Sequence, residues 1–293
     1  MLYLIGSIVL SSWLTLSFKI VERYRISTLQ AIVMNYFVCV ITGSLVNGAF
    51  PLRGQVVQES WFSWALIMGL MFIVLFNFIA LTAQKMGVAV ASVANKLSLV
   101  IPFLFSIYLY NETVTAWKIM GIVLALLAVV LTCMPAAGGT EPSGQTFRPL
   151  FLLLPVILFA GSGLLDTLIK YVEATHLHEG NKNAYLITAF AMAGTAGAVL
   201  LLVLLATGKE RFDMRAIAAG IMIGVPNYFS IWCLVQVLKM YAGNSTAIIP
   251  INNMGIVLFS TLAAWVLFQE RLSRINRLGI VLALGAIALI AYG

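Results

Sequence analysis

Apolar residues run along this chain in ten long stretches separated by short polar breaks. The stretches cover 2–18, 28–46, 61–83, 89–110, 116–133, 150–169, 184–206, 216–238, 245–268 and 275–292. Runs of about 17 to 25 apolar residues are long enough for a helix to cross roughly 30 Å of hydrocarbon. A backbone surrounded by lipid must satisfy its own hydrogen bonds, so the pattern predicts an all-α polytopic membrane protein with ten transmembrane helices.

The order of the stretches carries a second pattern. Gly-Ile-Val-Leu-Ala-Leu occurs at 121–126 and again at 279–284, a shift of 158 that also matches Asn95 with Asn253, Leu109 with Leu267, Glu112 with Glu270 and Ala128 with Ala286. A shift of 154 pairs Ile67-Met68 with Ile221-Met222 and Lys85-Met86 with Lys239-Met240. A shift of 151 pairs residues 18–22 with 169–173. Three blocks recurring in one order indicate duplication. The halves are therefore placed at 1–133 and 149–293, with the Gly- and Pro-containing stretch 134–148 as the linker. Each half holds five spans, and an odd number inverts the second copy relative to the first. The expected architecture is two inverted five-helix repeats.

Composition sharpens this reading. The chain has 293 residues, of which 62% are hydrophobic and 9% charged, and its mean hydropathy is +1.03. Those values exclude an ordinary soluble domain. In a soluble protein the net charge of +7 would suggest nucleic acid, but here the basic residues cluster at helix ends. Membrane anchoring accounts for them, and no nucleic-acid partner is expected. Eleven lysines and arginines lie at the odd loops and five at the even ones, Lys96 standing apart. By the positive-inside rule this places the odd loops in the cytoplasm and both termini outside. The first stretch lacks a basic leader and a small-residue cleavage site, and is expected to remain as a helix. Cys39, Cys133 and Cys233 fall inside apolar stretches and read as small core residues.

Several of these features coincide with a known family. Ala91-Ser92 opening the fourth stretch, Pro102 within it, Asn111-Glu112-Thr113 at the following turn and the glycine-led fifth helix resemble an EamA-type repeat of the drug/metabolite transporter superfamily. Residues 242–292, with Gln269-Glu270-Arg271-Leu272 at the matching turn, resemble it a second time. The resemblance implies ten helices in two inverted halves, a central cavity, and secondary transport of small metabolites or drugs. It also implies cytoplasmic termini, against the loop count, so orientation stays open. A bacterial cytoplasmic (inner) membrane is the expected location.

Polar groups inside hydrocarbon are costly and mark candidate sites. Lys96 and Asp166 are the charges deepest within the stretches. Lys96 is matched in the repeat by Met254, so duplication supplies no symmetric structural reason for it. Ser92, Asn95 and Lys96 share a helical face, and Asn252 and Asn253 lie at the matching depth of the ninth stretch, which together predict a cationic, amide-rich substrate site. The competing account of Lys96 is snorkelling to the interface. Asn35, Asn77, Asn227, Tyr228 and Trp232 extend the candidate lining, with interhelical hydrogen bonding as the alternative for each asparagine. Asp166 is the candidate coupling carboxylate, unless Lys170 neutralises it one turn later. Pro102, Pro155, Pro226 and Pro250 each remove a backbone donor and are expected to kink their helices. Glu112 and Glu270 are expected to stabilise the N-termini of the fifth and tenth helices. Gly121 with Ala125, and Gly279 with Ala283, form packing faces whose partner the sequence leaves undefined, so a monomer and a homodimer are both compatible.

An intramembrane enzyme is disfavoured because no histidine lies within a stretch to activate Ser162. His176 and His178 in a loop lack further ligands, so no metal and no cofactor are expected. A channel would show a continuous polar face rather than polar residues at one depth. The reading is a carrier of small molecules working by alternating access, extending to export of amino-acid-like or anionic metabolites.

Overall fold

The structure, a computed structural model, describes residues 2–48, 50, 54–110, 115–133, 149–178, 180–240, 245–270 and 272–292. Eleven α-helices occupy the ten expected stretches: α1 (Leu2–Arg23), α2 (Thr28–Asn47), α3 (Phe62–Met86), α4 (Val88–Leu97), α5 (Val100–Tyr110), α6 (Ala116–Cys133), α7 (Leu153–His176), α8 (Lys182–Ala206), α9 (Arg215–Met240), α10 (Ser245–Phe268) and α11 (Arg274–Tyr292). Among the described residues, eight helices meet the length and hydropathy needed to cross a membrane. The outer faces of the helices are apolar, with Val199, Leu202 and Val203 of α8 exposed, and Val123, Leu126 and Val130 of the shorter α6 exposed as well. An aqueous surface would not tolerate so continuous an apolar exterior.

Helix ends follow local chemistry. Gly48 takes φ +71°, a left-handed cap that L side chains avoid, and its N–H bonds the Leu45 carbonyl at 3.2 Å. Ser273 and Asn276 cap α11 reciprocally: the Asn276 N–H donates to Ser273 Oγ, and the Ser273 N–H to Asn276 Oδ1, each at 3.1 Å. The tenth stretch therefore does not use Glu270 as its cap, contrary to expectation. Glu112, the linker 134–148 and Arg271 lie outside the described residues.

The fourth stretch is broken into α4 and α5. Pro102 has no N–H to give the Ser98 carbonyl, which instead accepts from Ile101 N–H at 2.9 Å, one residue early. That tightened turn ends α4 and restarts the chain as α5. The other prolines break nothing. Pro226 lies inside the continuous α9, α10 runs through Pro250, and Pro155 sits in the first turn of α7, where a missing donor matters least.

Close packing uses the small residues. A Cβ on Gly279 would come 3.1 Å from the Ala128 carbonyl oxygen, and one on Gly121 the same distance from the Ile290 backbone nitrogen. Asn276 Nδ2 adds bonds to the Leu131 and Thr132 carbonyls at 3.2 and 2.9 Å. The glycine that opens each copy of the hexapeptide thus packs against the other helix beyond that helix's own copy, joining α6 to α11. A second joint places α8 against α2 and α3. Tyr36, Phe72 and Phe190 stack there, with Tyr36–Phe72 centroids 6.4 Å apart and Phe72–Phe190 5.7 Å. A third, between α4 and α10, lies beside the candidate site.

Candidate functional site

The break between α4 and α5 organises the polar residues near it. Lys96 falls in the last turn of α4, where the helix dipole favours a cation, and the break supplies that helix end inside the membrane span. Two residues on, Ser98 Oγ bonds the Asn95 carbonyl at 2.5 Å and lies 3.5 Å from Asp166 Oδ2 on α7. Asp166 therefore meets the first half at the break. Among the described residues no ion pair within 4.0 Å forms at Asp166, with Lys170 one turn later or with Lys96.

Asp166 is also exposed although it faces inward. The lipid-facing stripe of α7 is Ile157, Leu164 and Tyr171, all exposed and seven residues apart. Asp166 and Glu173 project from the opposite face, and both are exposed as well. Nearer the other end of α7, Ser162 and Leu158 on the inner side are buried. Asp166 is thus a carboxylate on the face of α7 opposite the lipid-facing stripe, with Ser98 beside it.

Across the same region two polar atoms are buried without a protein partner: Ser92 Oγ on α4 and Asn252 Oδ1 on α10. Their residues are 2% and 3% exposed. A buried oxygen without a hydrogen bond costs free energy unless something else supplies the bond. Asn95, Lys96 and Asn253 are half-buried. Ser92, Asn95 and Lys96 on α4 and Ser98 just after it thus lie between Asp166 on α7 and Asn252 and Asn253 on α10, α7 and α10 each packing against α4.

The remaining predicted residues are engaged elsewhere. Asn227 Nδ2 donates to Asn35 Oδ1 at 3.1 Å, and Cys39 Sγ donates to the Gly224 carbonyl at 3.4 Å, forming a buried seam between α2 and α9. Tyr228 is 6% exposed and packs beside Gly43 of α2. Trp232 packs edge-on to Tyr3 of α1, with centroids 5.6 Å apart. Asn77 turns back to the Ile73 carbonyl of its own helix at 2.7 Å. His176 Nδ1 lies 3.1 Å from Ser60 Oγ, and among the described residues no group of metal-binding side chains assembles. Ser98 was missed as a site residue; its position four residues before Pro102 was the available signal.

Lys96 and Asp166, of unlike charge, and the polar residues beside them gather around a break in one of the apolar spans. Residues 1–134 match the sequence profile described as the EamA-like transporter family. Its first 134 residues thus carry the match to this family, one of the drug/metabolite transporter superfamily. This EamA-type protein is 28% identical over 294 residues to an uncharacterized protein of Haemophilus influenzae, the alignment covering 99% of this chain and 97% of that one. It also resembles a protein of known crystal structure with a TM-score of 0.60 at 17% identity, over 98% of this chain and 94% of the other. At that identity the likeness concerns the fold alone. The family is one of transporters, which points to transport in general.

Proposed function

We propose that this EamA-type protein is a secondary carrier that moves a small metabolite by alternating access through a cavity between two inverted five-helix halves, 1–133 and 149–293. The observation that carries the reading is the site at the α4–α5 break, where Lys96 ends one half-helix and Asp166 of the other half stands 3.5 Å from Ser98. Broken helices in transporters present helix ends to substrates and coupling ions, and this break does so at the junction of the halves. The cargo carries a carboxylate or another anionic group for Lys96 and hydrogen-bonding capacity for Ser92, Asn95, Asn252 and Asn253. An amino-acid-like metabolite satisfies both. Asp166 is the coupling carboxylate, and the setting is a bacterial inner membrane.

The packing of the halves supports alternation. Under the repeat register α1 corresponds to α7, and Thr15 to Asp166. Thr15 is 6% exposed, whereas Asp166 is exposed. α1 packs against α3 and α4, and the corresponding pairs α7–α9 and α7–α10 make no comparable contact among the described residues. One end is shut and its symmetry counterpart is open, as two inverted copies require if they exchange conformations.

The test is counterflow in proteoliposomes, using radiolabelled amino acids and organic acids chosen by a thermal-shift screen. Uptake that saturates and accelerates with unlabelled compound on the far side supports the carrier. A linear, non-saturating flux would point to a channel and end this proposal.

A further inference from the structure

The shut end is closed by carboxylates acting across the halves: Glu210 accepts from Ser27 Oγ at 3.1 Å and from Gln30 Nε2 at 2.6 Å at the start of α2, and Glu270 reaches α4 and α1. Glu270, in the loop after α10, receives the Val88 N–H at 3.1 Å to each of its oxygens, on the first turn of α4. Its Oε1 also lies 3.6 Å from Lys19 Nζ of α1. The side chain is 15% exposed, so the pair is sheltered from solvent. Gly87 makes the approach possible. A Cβ there would lie 3.1 Å from Glu270 Oε2, and the residue's φ of +103° is one that L side chains rarely adopt.

Neighbouring bonds tie the same end together. Lys19 Nζ reaches the Gln84 carbonyl at 3.4 Å, and Gln84 Nε2 reaches the Phe18 carbonyl at 3.1 Å and Thr28 Oγ1 at 3.0 Å. These bonds join α1, α2 and α3, all within the first half. Glu270 is the second-half residue that reaches α4 and Lys19, while Glu210 bonds the start of α2. The counterpart of Lys19 under the repeat register, Lys170, is exposed at the open end.

We infer that Glu270 is a positioning residue: bound to the N-terminus of α4 and to Lys19, it sets the helix that carries Ser92, Asn95 and Lys96 and holds this end shut. Its release is the step by which the end opens. A negative charge at a helix N-terminus is favourable, and so is the pair with Lys19; both are lost together when the α10–α11 loop moves away. The purpose of the device rests on the carrier reading, but its existence does not, because accessibility can be measured without any substrate.

The experiment is maleimide labelling, resolved by peptide mass, of the full chain in nanodiscs. Thr15→Cys reports the shut end and Lys170→Cys, made separately, the open end. The buried native Cys39 reports unfolding. Adding Glu270→Gln should speed Thr15→Cys labelling about tenfold, the scale that one charge-assisted hydrogen bond supports. It should also slow Lys170→Cys labelling and leave Cys39 unmodified. Lys19→Met should act in the same direction and carries the test if Glu270→Gln does not fold. Unchanged Thr15→Cys labelling in the folded variants would overturn the inference. So would labelling of Cys39 in parallel, because that signals loss of structure rather than opening.

Discussion

Ser98 Oγ and Asp166 Oδ2 stand 3.5 Å apart, one at the turn that interrupts the fourth stretch and the other on the inner face of α7. The contact links a backbone irregularity to a membrane carboxylate. Irregular backbone at membrane depth is tolerated where it is enclosed by protein or lines a cavity, so the break and the exposed carboxylate explain one another.

If the break serves the site, restoring the helix should impair transport without impairing folding. Pro102→Ala returns a donor to the Ser98 carbonyl and favours a continuous α4–α5. The melting temperature is expected to hold or rise, while counterflow of the compound found by the thermal-shift screen falls about tenfold or more, since small misplacements at a site have large effects. Equal counterflow in the two proteins would detach the break from function.

Lys96→Met installs the residue found at the repeat-equivalent position, Met254. Removing a half-buried charge should leave stability unchanged or improved. Ligand-induced thermal stabilisation by carboxylate-bearing metabolites should disappear, since that stabilisation follows directly from binding to the folded state. Retained stabilisation at the same concentrations would assign Lys96 to snorkelling.

Asp166→Asn keeps the shape and removes the charge. In proteoliposomes the variant should retain counterflow, which needs no driving gradient, and lose accumulation driven by an imposed pH gradient. Accumulation at the wild-type level would remove Asp166 from the coupling role.

The seam between α2 and α9 gives a stability prediction separate from transport. Asn35→Ala leaves Asn227 buried without its partner and should cost about 1–3 kcal/mol. Asn35→Leu combined with Asn227→Leu removes both polar groups and should cost less than the two single changes added together. Calorimetry of the four proteins in one detergent decides it, and strict additivity would count against a coupled pair.

Packing of α11 against α6 is tested by Gly279→Leu. Its side chain would enter the space held by Ala128 and Thr132, and overpacking of this kind costs about 1–3 kcal/mol. A lower melting temperature with an unchanged oligomeric state is expected, because the face is already covered by α6 within one chain. A loss of dimer at constant melting temperature would instead place the face between subunits.

The helices were legible in the sequence because lipid imposes a single requirement on the backbone and the apolar stretches record it. The likeness of the halves was legible because duplication leaves matching residues at fixed shifts. So was the unusual standing of Lys96 and Asp166, since charge within an apolar stretch is visible without coordinates. Partners were not legible, because helical periodicity shows which residues share a face but not which helix that face meets. Asn35 and Asn227 therefore looked like cavity residues until their mutual bond placed them in a seam. Glu270 looked like the cap of its own following helix, yet tertiary packing carries it to α4, because Ser273 and Asn276 already satisfy α11 and Gly87 leaves room at Val88. Tertiary structure alone decided which end packs more closely. The two halves hold nearly the same elements, and what distinguishes one end from the other is how closely those elements pack.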